Sequence, residues 1–519
     1  VKRPGTRERL VAFNLLAAAA CSAGCLSRPT PNPDVLVVGI TSGPNNLDPR
    51  FGLDDVSQKL HQLIYDGLLV VDDEMRLTPG LAERFENPTP TTYVAYLRRG
   101  VRFHDGHELT SADVVHTFRS LMDPGLASPR RGGFRELASV DPLDRYTVLF
   151  TLRAPYTSFP INLALPIVPD GAGSELREHP IGTGPYRFVS YAVDDQVALA
   201  PYPDYFRGAP HNDGLVMKVV PDEVMRALEV RKGTMDIVVN DVSPDIFYQL
   251  AQDPSIQTTT GPGVDCQYLG LNFRDPLLKD LRVRQAISYA IDRRSIVEYL
   301  RRGLASPATG LLPPLSWAYE PDVTTYEYDP ARARALLDAA GHPDPDGDGP
   351  QPRFRLSLKV SIAEFNRLQS SVLQENLRNV GVALDVRAYE FATFFADVLA
   401  GNFQLYALQW TAVSLADPDI LRRVFHTSQV PPAGFNRGRY SNPVLDDLLD
   451  RAAASRNDAE RRALYSRAQR VIADDLPYIN IWHKTNFAIA RRNLSGIRLN
   501  PFADYVFLQD VARTRSAAN

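Results

Sequence analysis

The segment from Phe354 to Val386 limits the possible folds more than any other. Phe354 to Val360 reads as a strand, Leu368 to Leu377 as a helix, and Gly381 stops that helix before Val382 to Val386 begins a second strand. This is a βαβ unit, and such a crossover connects parallel strands. Further strands are expected at Val35 to Ile40, Phe403 to Trp410 and Ile479 to Trp482. Helix starts are explicit at Asp329-Pro330 and Asn442-Pro443, where a capping residue precedes an N1 proline. Alternating strands and helices predict an α/β architecture with mixed sheets. A chain of 519 residues can hold two or three domains and a large core.

The stretch from Leu269 to Leu300 reads strand, turn, buried helix, second short helix. Asp280 stands where an N-cap should, and Val283, Ala286, Ile287, Ala290 and Ile291 recur at helical spacing. Arg282, Arg284 and Gln285 are assigned to the other faces, and Asp292 to a second cap. The residues LNFRDPLLKDLRVRQAISYAIDR resemble a segment of the family 5 extracytoplasmic solute-binding proteins, which include peptide, dipeptide and nickel receptors of ABC importers. Three further segments resemble the same family: Leu47-Asp48-Pro49 after the first strand, LRRGVRFHDG at 97–106, and Gly182-Thr183-Gly184-Pro185-Tyr186. The two glycines of that last motif are expected to permit positive φ.

The N-terminal segment is basic and then apolar from Leu10 to Ala20, broken only by Asn14. That fits a signal peptide, and the apolar run is too short to span a bilayer. Small residues precede Cys25 and Cys21. They resemble a bacterial lipobox, so lipidation is expected at Cys25, with Cys21 the alternative and a cleaved signal without lipid the plainer reading. Residues 26–33 are rich in Pro and polar residues, as a tether would be. The third cysteine, Cys266, lies in an apolar segment and is expected to be a buried small hydrophobe, not a disulfide partner.

Catalytic patterns are missing: there is no phosphate-cradling loop, Gly-x-Ser-x-Gly elbow or His-Glu-x-x-His. A net charge of −4 without a basic stripe argues against nucleic acid. His104, Asp105 and His107 read as a turn and not as a metal site. Asp344, Asp346 and Asp348 begin like a calcium loop, but the twelfth position is Arg355, so they too read as a turn. No cofactor and no metal are expected.

The resemblance implies a two-lobed fold of the periplasmic-binding-protein type, in its large three-domain form. One discontinuous domain would comprise 34–64, 181–268 and 484–519, and 65–180 would be inserted in the same lobe. The second lobe would be 269–483. A peptide or other small solute would be held between lobes that close by hinge motion, then passed to permease subunits with their ATPase. The receptor would be a monomer, lipid-anchored in the periplasm or on the outer face of the envelope. Other solutes (a nickel chelate, haem, an oligosaccharide) and a chaperone or sensor role on the same fold remain alternatives. Candidate ligand contacts are Leu53, Asp55, Phe391, Trp410, Val413, Asp417, Asn436 and Arg437. In peptide receptors that this chain resembles, an Asp three residues after the Trp holds the peptide's α-ammonium. Here that position is Val413. Amine recognition should therefore weaken unless Asp417, Asp419 or Asp55 takes over. Arg437 could meet a ligand carboxylate, although a solvated surface charge is the commoner role for such a residue.

Overall fold

The computed structural model describes residues 34–514 apart from 348 and 412–414. The segment that carries Cys21 and Cys25, and the position of Val413, lie outside the described residues. The fold is α/β and two-lobed. The first lobe is built on strands β1 (Leu36–Ile40), β2 (Tyr186–Ala192), β3 (Gln196–Pro201), β4 (Leu215–Val219) and β5 (Ile237–Val239). Two long strands follow at different points of the chain, β6 (Ile256–Leu271) and, near the C-terminus, β10 (Tyr478–Arg491). The second lobe adds β7 (Phe354–Ser361), β8 (Val382–Tyr389) and β9 (Leu405–Trp410). All belong to one sheet of order β8-β7-β9-β6-β10-β5-β1-β4-β3-β2. The strands β7 and β8 are parallel, with Leu358 beside Val386, as the βαβ reading requires.

β6 and β10 run antiparallel through both lobes, from Ile256 opposite Arg491 to Gly270 opposite Tyr478. Their register breaks between Pro262 and Cys266. Pro262 has no N–H to give, and at Gly263 a Cβ would collide with the Lys484 carbonyl. The lobes are therefore joined by two paired backbones that pass very close together.

Residues 69–181 contribute a separate core. Four antiparallel strands (82–89, 92–97, 137–144 and 147–152) pack against helix Ser111–Met122. Phe118 and Phe150 meet edge to face at 5.1 Å there. Thr110 and Asp113 form a capping box. The turn at Asp105-Gly106 has Gly106 at φ 95°, which favours glycine.

Two local expectations need correction. Gly182 and Gly184 do not adopt positive φ. They are small because the chain there lies against Ile64: a Cβ on Gly184 would sit 2.6 Å from its carbonyl carbon. Arg284 is not on an outer face but buried. It donates to the Asp475 carbonyl at 2.8 and 2.9 Å and to those of Leu278 and Lys279, each at 2.8 Å. Asp475 ends helix Asp458–Asp475, so the guanidinium satisfies a carbonyl that has no intrahelical partner. That 18-residue helix was not anticipated from the sequence. The buried face of Leu281–Ala290 and the Asp280 cap, which accepts from Arg282 N at 2.8 Å, are as expected.

Candidate functional site

The lobes meet through a three-residue strap, Tyr156 to Ser158, which leaves the four-stranded unit and docks on residues 417–455. Its landing site is made by helices α2 (Ile420–Phe425), α3 (Pro443–Ala454) and α4 (Asp458–Asp475). Helix α1 (Asp55–Ile64) lies in the first lobe. The Tyr156 hydroxyl donates to Asp419 Oδ2 at 2.7 Å, and Ser158 Oγ donates to Asp417 Oδ1 at 2.8 Å. Between them, Thr157 N donates to the Ala453 carbonyl at 2.8 Å and Thr157 Oγ1 to the Ser455 carbonyl at 2.9 Å. Those carbonyls lie at the C-terminal end of α3, where acceptors are otherwise free. Burial raises both carboxyl groups. Asp419 is pushed to about 7, with the charge of Asp417 adding to the effect of burial. A second contact is hydrophobic. Met75, at φ 60° in the turn between strands 69–71 and 77–79, is buried in a cluster with Val264, Cys266, Trp410 and Phe425.

Asp417 and Asp419 were candidates for a ligand ammonium. Here each carboxylate is engaged across the lobe interface. Asn436 is a loop brace: it is buried, it donates to the His426 carbonyl at 3.1 Å and the Tyr440 carbonyl at 2.7 Å, and it accepts from Tyr440 N. Arg437 is not a solvated charge. It is 7% exposed and faces the rings of Trp410, Phe395 and Phe435 at 5.1, 5.3 and 5.6 Å. Its Nη1 donates to the Tyr268 hydroxyl at 3.0 Å. Burial opposes its charge, yet Tyr268, Tyr406 and Tyr478 hold its pKa above the usual arginine value. Among the described residues Arg437 forms no ion pair. The buried Trp410 Nε1 and Arg437 Nε donors have no hydrogen-bond partner there.

Phe391 and Leu53 present apolar surface to solvent, at 54% and 50% exposure. Phe391 opens helix Phe391–Ala400 and stacks on Phe395 at 5.7 Å, so an exposed ring continues into the Arg437 cage. Asp55 lies in the first turn of α1, which Asp54 caps by accepting from Ser57 N at 2.9 Å. Asp55 pairs with Lys59 at 2.7 Å, and Lys59 Nζ lies 4.9 Å from the Tyr505 ring centre. Asp241, Asp265 and Lys484 complete a charged group where the lobes join.

Lys59, Tyr156, Ser158, Asp241 and Lys484 were not picked from the sequence. A signal for Lys484 was present: one lysine in the apolar run INIWHKTNFAIA. Such a residue needs a partner or a ligand.

The metal-like patterns have structural uses. His107 Nδ1 lies 2.6 Å from Asp105 Oδ1, and His104 Nε2 lies 3.0 Å from the Gly184 carbonyl. Asp344 lies 3.7 Å from Arg353, and Asp348 is outside the described residues. No metal-ligating cluster occurs among the described residues. Cys266 is buried, with its thiol 3.6 Å from Asn480 Oδ1, and burial raises its pKa. A cavity of about 180 Å³ within the second lobe is lined by Arg293, Tyr326, Gln469 and Asn480, and none of the candidate ligand residues lines it.

Residues 76–431 match the family model for bacterial extracellular solute-binding proteins, family 5 Middle. The chain is 28% identical over 515 residues to the glutathione-binding protein GsiB of Escherichia coli (strain K12), covering 96% of this chain and 98% of that protein. The oligopeptide-binding protein AppA of Bacillus subtilis, solved with a nonapeptide, has a TM-score of 0.79 at 27% identity, over 92% of this chain and 98% of that one. NikZ of Campylobacter jejuni, solved with Ni(L-His), shares the fold with a TM-score of 0.80 at 24% identity, over 92% of this chain and 99% of that one. The chain belongs to the bacterial extracellular solute-binding proteins of family 5, the extracytoplasmic receptors that serve ABC importers.

Proposed function

We propose that this receptor captures peptides between its lobes and delivers them to the permease. The observation that carries the reading is the Arg437 cage: a buried guanidinium with no carboxylate partner among the described residues, walled by Trp410, Phe395 and Phe435 and continuing to the exposed ring of Phe391. Aromatic walls give sequence-tolerant apolar contact, and an unpaired buried cation suits an acidic or carbonyl-rich solute. That AppA was solved with a nonapeptide and that GsiB is named for glutathione are in keeping with this class of solute. We assign the first lobe to 34–64, 181–268 and 484 onward, with 65–180 inserted in it, and the second lobe to 269–483. The strap and the Met75 contact hold the two together around the solute.

Two experiments test this. Mass spectrometry of the solute that co-purifies should find peptides, and a nickel chelate, haem or oligosaccharide in their place rejects the class. Solution scattering with saturating peptide should give a lower radius of gyration, and an unchanged profile rejects capture by lobe closure. We also propose a lipid anchor at Cys25 or Cys21. The double Cys→Ser variant should then leave the membrane fraction, and its retention rejects the anchor.

A further inference from the structure

Where the lobes join, a carboxylate and an ammonium face each other without bonding. Asp241 follows β5. Asn240, at φ 61°, fixes its position by pairing with β10: Asn240 N donates to the Phe487 carbonyl at 3.0 Å, Phe487 N donates to Asn240 Oδ1 at 2.9 Å, and Asn240 Nδ2 donates to Asn486 Oδ1 at 3.1 Å. Lys484 lies two residues before Asn486 on the same strand, at the crossover between lobes. The Lys484 ammonium finds its nearest carboxylate, Asp265, only at 3.9 Å, and Gln409 Nε2 already donates to that carboxylate at 2.8 Å. The Asp241 side chain makes no hydrogen bond and no ion pair among the described residues, although it is at most half-exposed. The buried Tyr505 hydroxyl, whose electrostatic neighbours are Lys59, Asp241 and Asp55, has no hydrogen-bond partner either.

Burial raises the Asp241 carboxyl and lowers the Lys484 ammonium; Lys59 is the larger opposite charge at Asp241 and Asp265 at Lys484, and each also feels the charge of the other. Enclosed charges that remain unpaired are costly. Asp55 pairs with Lys59, Asp417 accepts from Ser158, and Asp419 accepts from Tyr156 through Oδ2 while its buried Oδ1 has no partner among the described residues. Asp241 differs from these in that neither of its carboxylate oxygens is bonded among the described residues.

We propose that Asp241 and Lys484 form a bipolar end to the solute site, Asp241 receiving the ammonium and Lys484 the carboxylate of a zwitterionic solute. This rests on the peptide reading and narrows it to short peptides or amino-acid conjugates with both groups free. Asp241 then supplies the amine partner that Val413 cannot.

The test is calorimetry on the full chain with glutathione, tri-alanine, N-acetyl-tri-alanine and tri-alanine amide, using the parent, Asp241→Asn and Lys484→Gln. Acetylation and amidation should each weaken binding to the parent by about 30-fold or more. Asp241→Asn should weaken tri-alanine as much and make acetylation immaterial, and Lys484→Gln should do the same for amidation. Both variants should melt at or above the parent's temperature, since each removes an underpaired charge; a purely structural pair would lower it. If acetylated and free tri-alanine bind the parent alike, the bipolar site is wrong and the peptide reading survives. If acetylation costs Asp241→Asn as much as it costs the parent, the assignment to Asp241 is wrong. If neither zwitterion binds, both readings fall.

Discussion

Two of the connections between the lobes are built from opposite materials. The crossover of β6 and β10 is covalent chain, paired by backbone and apolar on most of its length, with Gly263 pressed against the Lys484 carbonyl. The strap from Tyr156 to Ser158 is non-covalent, polar, and ends on two buried carboxylates. The first survives any opening of the cleft, whereas every bond of the second must break and re-form if the lobes part. Hydrogen bonds to charged groups net only about 1.5–3 kcal/mol each, within reach of the free energy of binding a solute. A fold that opens and closes needs this inequality, with one joint too strong to lose and the other weak enough to be decided by a ligand.

The sharpest way to break the comparison is at the strong joint. In Gly263→Val the new side chain has no space beside the Lys484 carbonyl, and two strands would have to separate. Overpacking of this kind costs about 1–3 kcal/mol or more, and here it falls on pairing shared by both lobes. Denaturant unfolding should show a lower midpoint for the whole molecule. An unchanged midpoint would mean that the crossover tolerates far more looseness than its geometry suggests.

At the weak joint the expectation reverses. Tyr156→Phe with Ser158→Ala removes two hydrogen bonds to carboxylates and leaves the packing of each lobe intact. The unfolding midpoint should move little. Solute affinity should fall by about 10- to 100-fold, because the closed form becomes less populated. Scattering should show the unliganded variant more expanded than the parent. Equal affinity and equal size would mean that the strap contact is incidental to closure.

The strong joint was partly legible in the sequence and the weak one was not. Local rules located the βαβ unit from Phe354 to Val386 and the Asp280 cap, since each is recorded in neighbouring residues. The strap pairs residues 263 and 259 positions apart, and no period or spacing records such a partner. Arg284 was placed on an outer face, and Arg437 was given a solvated charge as its commoner role, for a related reason. Sequence patterns treat arginine as surface, but a guanidinium can be buried when carbonyls or aromatic faces receive it, and those receivers come from distant segments such as Asp475 and Tyr268. Family resemblance carried the fold and the receptor role, while Val413, the position it matched to the ammonium-binding Asp, falls outside the described residues.

The smallest effect is the most specific to the contrast, because acid should act on the two joints in opposite directions. Asp419 is raised to about 7 by burial and by Asp417, and Arg422, Arg423 and Tyr156 also face it. Arg461 and Tyr465 pack against the same place, and burial raises the Tyr465 hydroxyl far above this range. When the lobes separate, its carboxyl returns toward the ordinary value near 4. The closed form therefore binds the extra proton, so closure gains as pH falls through 7 and weakens as pH rises through it. Between pH 8 and pH 6 the closed-to-open ratio should increase by at most about tenfold. Global stability runs the other way. Burial lowers His61 to about 3 and His104 and His483 to about 4, so the unfolded chain takes up protons first and stability declines as pH falls below about 6.5. Fluorescence transfer between labels on the inserted domain and the second lobe should thus report tighter closure at pH 6 than at pH 8, while the melting temperature begins to drop below pH 6. Asp419→Asn should flatten the first response and, because the unfolded chain also returns this carboxyl to its ordinary value, steepen the second. Closure that loosens on acidification in the parent, or a pH response that persists in Asp419→Asn, would show that the strap's carboxylate does not govern the weak joint.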